Sequence, residues 1–183
     1  MALAFLKACG DDDASTPKPL RVEIFERLPA LQTGGMGQPV GEPFNGFSIS
    51  AGDIVNNDDR DIAFRGTTIL ASGGDEIGIS DEPTRTGNAA IFQQDGPNAY
   101  ALPTGSGNGW YNYDPAQNLI IPIVGKVFVV RTHDGKYAKF EILSDYQNAP
   151  NPPDPTAPSR YYTFKNMSIS PIGQVFKSFY SQY

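Results

Sequence analysis

Residues 126–143 have the sequence KVFVVRTHDGKYAKFEIL, in which two runs of alternating apolar and polar side chains flank an Asp-Gly pair. Alternation at a period of two places successive side chains on opposite faces of a strand, so each run predicts a half-buried β-strand. Asp134 and Gly135 tolerate positive φ, which favours a two-residue type I′ turn. That turn predicts a register that pairs Val129 with Phe140, Val127 with Ile142, Phe128 with Glu141 and Val130 with Lys139. The segment therefore predicts a hairpin with one face in the core and one amphipathic face.

Shorter segments of the same kind occur along the rest of the chain. Strands are predicted at 20–25 (LRVEIF), 44–49, 61–69 (DIAFRGTTI) and 160–169 (RYYTFKNMSI). Gly- and Pro-rich stretches, which favour loops or broken strands, separate them at 29–46, 73–109 and 150–158. We therefore predict an all-β fold of many short, mainly antiparallel strands with long Gly/Pro-rich loops.

Length and charge limit the number of domains and the kinds of partner that this chain can have. With 183 residues, the chain has room for one domain with a hydrophobic core, which we assign to residues 20–183. The 14 Lys and Arg residues face 20 acidic ones, for a net charge of -6, so the basic surface needed to bind nucleic acid is missing. We do not expect a nucleic-acid partner.

The first residues have features of an export signal. Residues 1–9 are MALAFLKAC, and a glycine and three aspartates follow Cys9, the single cysteine. An apolar stretch ending in a small residue and cysteine resembles a bacterial lipoprotein signal, in which the thiol is acylated. The acidic residues resemble the export tag of Bacteroidota lipoproteins, which places them on the outer face of the outer membrane. We assign residues 1–19 as signal or anchor and linker, with Cys9 as the lipidation site; the alternative is a lone cysteine in an irregular tail.

Three segments in order resemble a known family. They are 59–74 (DRDIAFRGTTILASGG), 109–125 (GWYNY and then LIIPIVG), and 126–144 together with 161–164 (YYTF). The chain is similar in these segments to the HmuY-like haem-binding lipoproteins of Bacteroidota, whose usual form has Trp where Arg60 stands. The resemblance implies an all-β lipoprotein that takes haem from host carriers and passes it to an outer-membrane receptor.

The resemblance also implies where axial haem ligands would lie. In the family, one His or Met follows the Gly-Trp strand, here 114–118, and the other ligand maps to 93–100, but neither segment contains His or Met. Haem iron accepts His, Met, Cys or Tyr. The candidates that remain are Tyr100, Tyr111, Tyr113, Asn118, Met36 and His133.

Each candidate also has a plain structural interpretation. His133, the single histidine, flanks the predicted turn, where it would be a solvated residue. The tyrosines can pack in the core or at a sheet edge, and Met36 and Met167 can fill space in the core. Two functions follow: haem or porphyrin binding, or a non-haem surface protein of the same fold that serves as accessory subunit of an outer-membrane transporter.

An enzyme is not expected. The sequence has no Gly-x-Ser-x-Gly nucleophile elbow. Its single cysteine, Cys9, lies in the predicted lipoprotein signal, and its single histidine, in a hairpin turn, cannot form a catalytic triad. Acidic residues cluster in runs such as Asp58, Asp59 and Asp61, which predict solvated turns. No metal site is predicted beyond haem iron.

Overall fold

The computed structural model describes residues 22–35, 38–57, 59–71, 76–81, 90–93, 102, 105–132 and 136–169, with the backbone alone at 76–81, 90–93 and 167–169. These residues form strands and no helix, which confirms the all-β prediction. Consequently, no helix that could cross a membrane is found in this part of the chain.

In chain order the strands are β1 (Val22–Pro29), β2 (Thr33–Gly35), β3 (Gln38–Gly41), β4 (Asn45–Ser48), β5 (Asp53–Ile54), β6 (Ile62–Arg65), β7 (Thr68–Ala71), β8 (Glu76–Asp81), β9 (Ala90–Gln93), β10 (Tyr111–Asp114), β11 (Leu119–Pro122), β12 (Lys126–Arg131), β13 (Tyr137–Tyr146) and β14 (Ser159–Ile169). Six of them form one antiparallel sheet in the order β1-β14-β13-β12-β8-β9. A second sheet has the order β5-β4-β6-β7, and β2–β3 and β10–β11 are separate hairpins.

Aromatic rings join the two larger sheets. The Phe164 ring on β14 lies 5.1 Å from that of Phe47 on β4 and 5.7 Å from that of Phe64 on β6. Tyr162, also on β14, packs at 4.9 Å against Phe64 and at 5.1 Å against Trp110. All five side chains are buried, so the core lies between the sheets.

The predicted hairpin at 126–143 forms, but with a different register. Phe128 pairs with Phe140 and Val130 with Ala138, one residue away from the prediction. The N–H of Thr132 donates to the carbonyl of Lys136, so three residues rather than two separate the paired ends. Three-residue hairpin loops are also common. The observed register places both phenylalanines on the inner face, stacked at 4.9 Å, whereas the predicted one would have set Phe128 opposite Glu141.

The single strand predicted at 61–69 is wrong. β6 ends at Arg65, the chain turns through Gly66 and Thr67, and β7 begins at Thr68, which pairs with Arg65. Gly66 has a φ of 56°, a left-handed conformation that glycine adopts without a steric penalty. The glycine is thus the turn residue of a tight hairpin.

The prediction that Asp61 is a solvated turn residue is also wrong. Its side chain is fully buried, and its Oδ2 accepts the N–H of Ile49 at 2.7 Å. Its own N–H donates to the carbonyl of Phe47. A carboxylate that receives such hydrogen bonds stabilises the turn between β4 and β5 instead of facing water.

The other strand predictions are confirmed where they can be checked. β1, β4 and β14 occupy the predicted segments, although residues 20 and 21 lie outside the described residues. The stretch 29–46 contains the short β2–β3 hairpin, and 150–158 is an irregular, mostly exposed connection.

Candidate ligand-binding cavity

A cavity of about 310 Å³ opens where the β10–β11 hairpin faces the β6–β7 turn and the start of β14. Its volume is at the small end of the roughly 300–1,000 Å³ typical of ligand sites. The lining residues are Gln32, Gly66, Thr67, Tyr113, Asn118, Ile120, Tyr146, Pro155, Ala157, Ser159 and Arg160.

The β10–β11 hairpin forms one wall. Asp114 accepts hydrogen bonds from the N–H of Ala116 at 2.8 Å and from the amide of Gln117 at 3.0 Å, which hold the turn and lower the pKa of the Asp114 carboxyl. The turn ends at Asn118, whose φ is 55°. The Tyr113 hydroxyl donates to Oδ1 of Asn118 at 2.8 Å, so both side chains are fixed at the cavity.

Buried aromatic residues support the opposite wall. The Trp110 indole donates to the carbonyl of Thr67 at 3.0 Å, and the Tyr162 hydroxyl donates to the carbonyl of Gly66 at 2.8 Å. Neither donor lines the cavity, but each fixes the backbone of a lining residue. The β6–β7 turn is therefore attached to the core by two side-chain hydrogen bonds.

Tyr146 lines the cavity from the end of β13. Its hydroxyl accepts the N–H of Ile120 at 2.8 Å, which links the six-stranded sheet to the hairpin. Burial raises the pKa of Tyr146, an effect that the Ile120 hydrogen bond opposes. Tyr146 is 4% exposed, whereas Tyr113 is 44% exposed, so Tyr113 is the accessible phenol.

Among the described residues, Arg160 is the only charged one that lines the cavity. Its guanidinium Nη1 donates to the carbonyl of Gln32, and its own carbonyl accepts the N–H of Ala30 at 2.9 Å. Its φ of 68° is rare for a residue with a Cβ. Gln32 in turn packs on Gly66, where a Cβ would come within 2.1 Å of the Gln32 Oε1.

Asp145 lies next to these residues, although it does not line the cavity. It is fully buried, and no group among the described residues forms a hydrogen bond with either carboxylate oxygen. Burial raises its pKa to about 7, against the opposing effects of the backbone amide and charge of Arg160. The Arg160 amide is thus near the carboxyl group without hydrogen-bond geometry.

The structure brings some of the candidate haem residues together. Tyr113 and Asn118 line the cavity, whereas Tyr111 packs against Trp110 with ring centroids 4.8 Å apart. Tyr100, Met36 and His133 lie outside the described residues, as does Cys9, and Met167 is described by its backbone alone in β14.

Sequence reasoning missed Arg160, Gln32 and Tyr146. Gln32 and Arg160 are 128 positions apart, so no local pattern places them together. Arg60, which stands where Trp is usual in the family, does not line the cavity, because the stem of its side chain lies against Gly46.

The side chains that line the cavity determine which groups could bind haem iron there. No described residue of the lining is His, Met or Cys, so the phenols of Tyr113 and Tyr146 are the described lining groups of a type that haem iron accepts. Among the described residues, no three or more His, Cys, Asp or Glu side chains cluster as metal ligands would. Ligation through an exposed tyrosine fits this donor set.

Several solved structures are similar to this chain. A candidate HmuY-like haem-binding protein from Bacteroides vulgatus has 10% identity and a TM-score of 0.48, over 80% of this chain and 90% of that one. The apo HmuY analogue of Tannerella forsythia has 12% identity and a TM-score of 0.45, over 83% and 96%. A candidate lipoprotein from Bacteroides fragilis has 15% identity and a TM-score of 0.44, over 67% and 82%.

The HmuY-like resemblance indicated by the sequence is thus found again among solved structures. No protein-family model matches the chain, and no curated protein matches it.

Proposed function

We propose that this chain is a non-enzymatic cell-surface binding protein that holds haem or another porphyrin at the cavity, with the Tyr113 phenol as the group that binds iron. The supporting observation is that Tyr113 and Asn118, which the sequence suggested independently, line the same cavity. Bound haem would supply an iron atom that a protein side chain can ligate.

Tyr113 suits this role better than its neighbours. Its ring is partly exposed, and its hydroxyl bonds only to Asn118 among the described residues. The Tyr146 hydroxyl, by contrast, is nearly buried and already accepts a backbone N–H. Iron ligation by Tyr113 therefore requires the loss of one exposed hydrogen bond.

The proposal includes a cellular setting. Cys9 carries the lipid, the linker that follows it up to residue 19 tethers the domain at 20–183 to the outer face of the outer membrane, and the protein delivers haem to an outer-membrane receptor. The support is the lipoprotein-like sequence around Cys9. Contact with the membrane would be through the lipid alone.

A haemin titration tests the ligand. The full chain with Cys9→Ser, which cannot be acylated, is titrated with haemin and followed by absorbance in the oxidised and reduced states. We expect saturable binding with a Soret band that Tyr113→Phe shifts and weakens. Tyr111→Phe is the matched control. Tyr111 is two positions from Tyr113 in the same strand, but it packs on Trp110 and is not among the residues that line the cavity.

The second candidate function is the non-haem accessory subunit of an outer-membrane transporter. It is favoured by the lack of His, Met and Cys among the lining residues and by the small volume of the cavity. A spectrum identical to that of free haemin, with and without Tyr113→Phe, would reject haem binding and support this candidate.

A further inference from the structure

We propose that the same cavity binds an anionic group, a carboxylate or a phosphate, through the guanidinium of Arg160. The anion site shares its cavity with the proposed function but does not depend on haem. It would hold the propionate of a porphyrin or the acid group of a smaller ligand.

The charges around the cavity favour an anion. Within the part of the chain that the structure describes, Arg160 is the single charged residue in the lining and no aspartate or glutamate lines the cavity, although the whole chain carries -6. A cation at a partly enclosed wall attracts anions more strongly than one in open water, because fewer water molecules screen it. The cavity is thus a locally positive site in an acidic protein.

The Arg160 guanidinium also has N–H donors that no described acceptor uses. A guanidinium carries five N–H donors, and among the described residues the carbonyl of Gln32 is the one acceptor that Arg160 reaches. Guanidinium groups bind carboxylate and phosphate through paired, charge-assisted hydrogen bonds. Ser159 and Thr67 also line the cavity, and a hydroxyl side chain can act as a further donor.

The backbone holds Arg160 in place before any ligand binds. Arg160 and Asn118 both have left-handed φ values, 68° and 55°, and both line the cavity. A non-glycine residue in this region is strained and persists only where its surroundings enforce it. The hydrogen bond from Ala30 to the Arg160 carbonyl restrains the backbone, and the hydrogen bond from Nη1 to the carbonyl of Gln32 restrains the guanidinium.

The neighbouring acid does not cancel the charge of Arg160 at low pH. Asp145 is buried against Arg160, Tyr146 and Tyr162 and lacks hydrogen bonds from the described residues. Because its pKa is about 7, it is neutral in mildly acidic solution. We expect anion affinity to fall as pH rises through 7, where an ionised Asp145 competes for Arg160.

Inorganic phosphate is the first probe. It is titrated into the full chain with Cys9→Ser at pH 6, with ionic strength held constant by chloride, and followed by amide NMR shifts and by the melting midpoint. We expect saturable shifts centred on Gly66, Ser159 and Arg160 and a higher midpoint. Shifts spread over the surface without saturation would overturn the proposal.

Variants test the assigned residue. Arg160→Gln should weaken phosphate binding roughly tenfold to a hundredfold, since it removes charge-assisted hydrogen bonds. Arg160→Lys should retain part of the affinity. Arg65→Gln is the matched control, because the Arg65 guanidinium also donates to a backbone carbonyl, that of Glu42, but outside the cavity.

A folded Arg160→Gln that binds phosphate as the parent does would overturn the proposal. If that variant does not fold, the shift map of the parent protein decides. Succinate, haemin and haemin dimethyl ester then separate the sources of the acid group: a preference for haemin over its ester identifies a propionate, and a response to succinate identifies a smaller acid. Phosphate binding without haemin binding would reject the proposed function and leave the anion site intact.

Discussion

At the scale of single residues, the two fully buried aspartates behave in opposite ways. Asp61 accepts a backbone N–H at 2.7 Å, whereas Asp145 accepts no hydrogen bond from the described residues. A buried carboxyl group without such partners favours its neutral form, because burial penalises the charge. The pKa of Asp145 accordingly rises from 3.8 to about 7.

This shift makes stability depend on pH. The raised pKa means that the folded state binds this proton more tightly than the unfolded state, so the contribution of Asp145 to stability is fully present below pH 3.8 and is lost as pH rises through 7. Above pH 7, the raised pKa of Asp145 lowers the free energy of unfolding by about 4 kcal/mol. Asp145→Asn should match the parent protein near pH 4 and be more stable at pH 8, as measured by urea unfolding across this range.

Asp154→Asn serves as the control for that experiment. Asp154 is exposed, and its hydrogen bonds to Thr156 lower its pKa, so its replacement should not increase stability at pH 8. If the parent protein and Asp145→Asn lose stability equally between pH 4 and pH 8, the Asp145 carboxyl is not the buried group described above.

At the scale of elements, the β12–β13 hairpin shows how packing selects a register. The alternating pattern permits both a two-residue and a three-residue loop, which differ in the residues that face each other. The observed register joins Phe128 and Phe140 across the strands. Core packing therefore overrides the two-residue turn that Asp134 and Gly135 favour locally.

A double-mutant cycle tests this register. Phe128→Leu and Phe140→Leu should couple by about 0.5–1.5 kcal/mol, the range for aromatic pairs, in urea unfolding. The reference pair is Val129→Ala with Phe140→Leu, which would be directly opposite in the two-residue-turn register but lie on opposite faces here. Stronger coupling in the reference pair would contradict the observed register.

At the scale of the whole molecule, Phe164 connects elements that are far apart in the chain. Its ring packs against Phe25 on β1, Phe47 on β4, Phe64 on β6 and Phe140 on β13. It is fully buried. The stability of both sheets therefore depends on this one side chain.

Phe164→Ala should lower the free energy of unfolding by about 3–5 kcal/mol, because it leaves a cavity between the sheets. Val124→Ala is the comparison, since Val124 is 93% exposed and its truncation should change stability by less than about 0.5 kcal/mol. Both are measured by urea unfolding. Similar effects of the two changes would mean that Phe164 does not hold the sheets together.

The amino-acid sequence alone determined the strand character of this protein, because alternation at a period of two is a local property. It placed β1, β4, β14 and the β12–β13 hairpin, and it identified Tyr113 and Asn118 as candidate site residues. Asn118 was a candidate because the resemblance to HmuY-like proteins implies an iron ligand after the Gly-Trp strand, and Tyr113 because a phenol can bind haem iron.

Tertiary structure alone decided the hairpin register, the burial of Asp61 and Asp145, and the wall that Arg160 and Gln32 form. Each depends on residues distant in the chain: Phe140 pairs with Phe128 because both face the core, and Gln32 meets Arg160 because β1 pairs with β14. Local patterns specify which faces a strand has, but only the packing of the sheets determines what those faces meet.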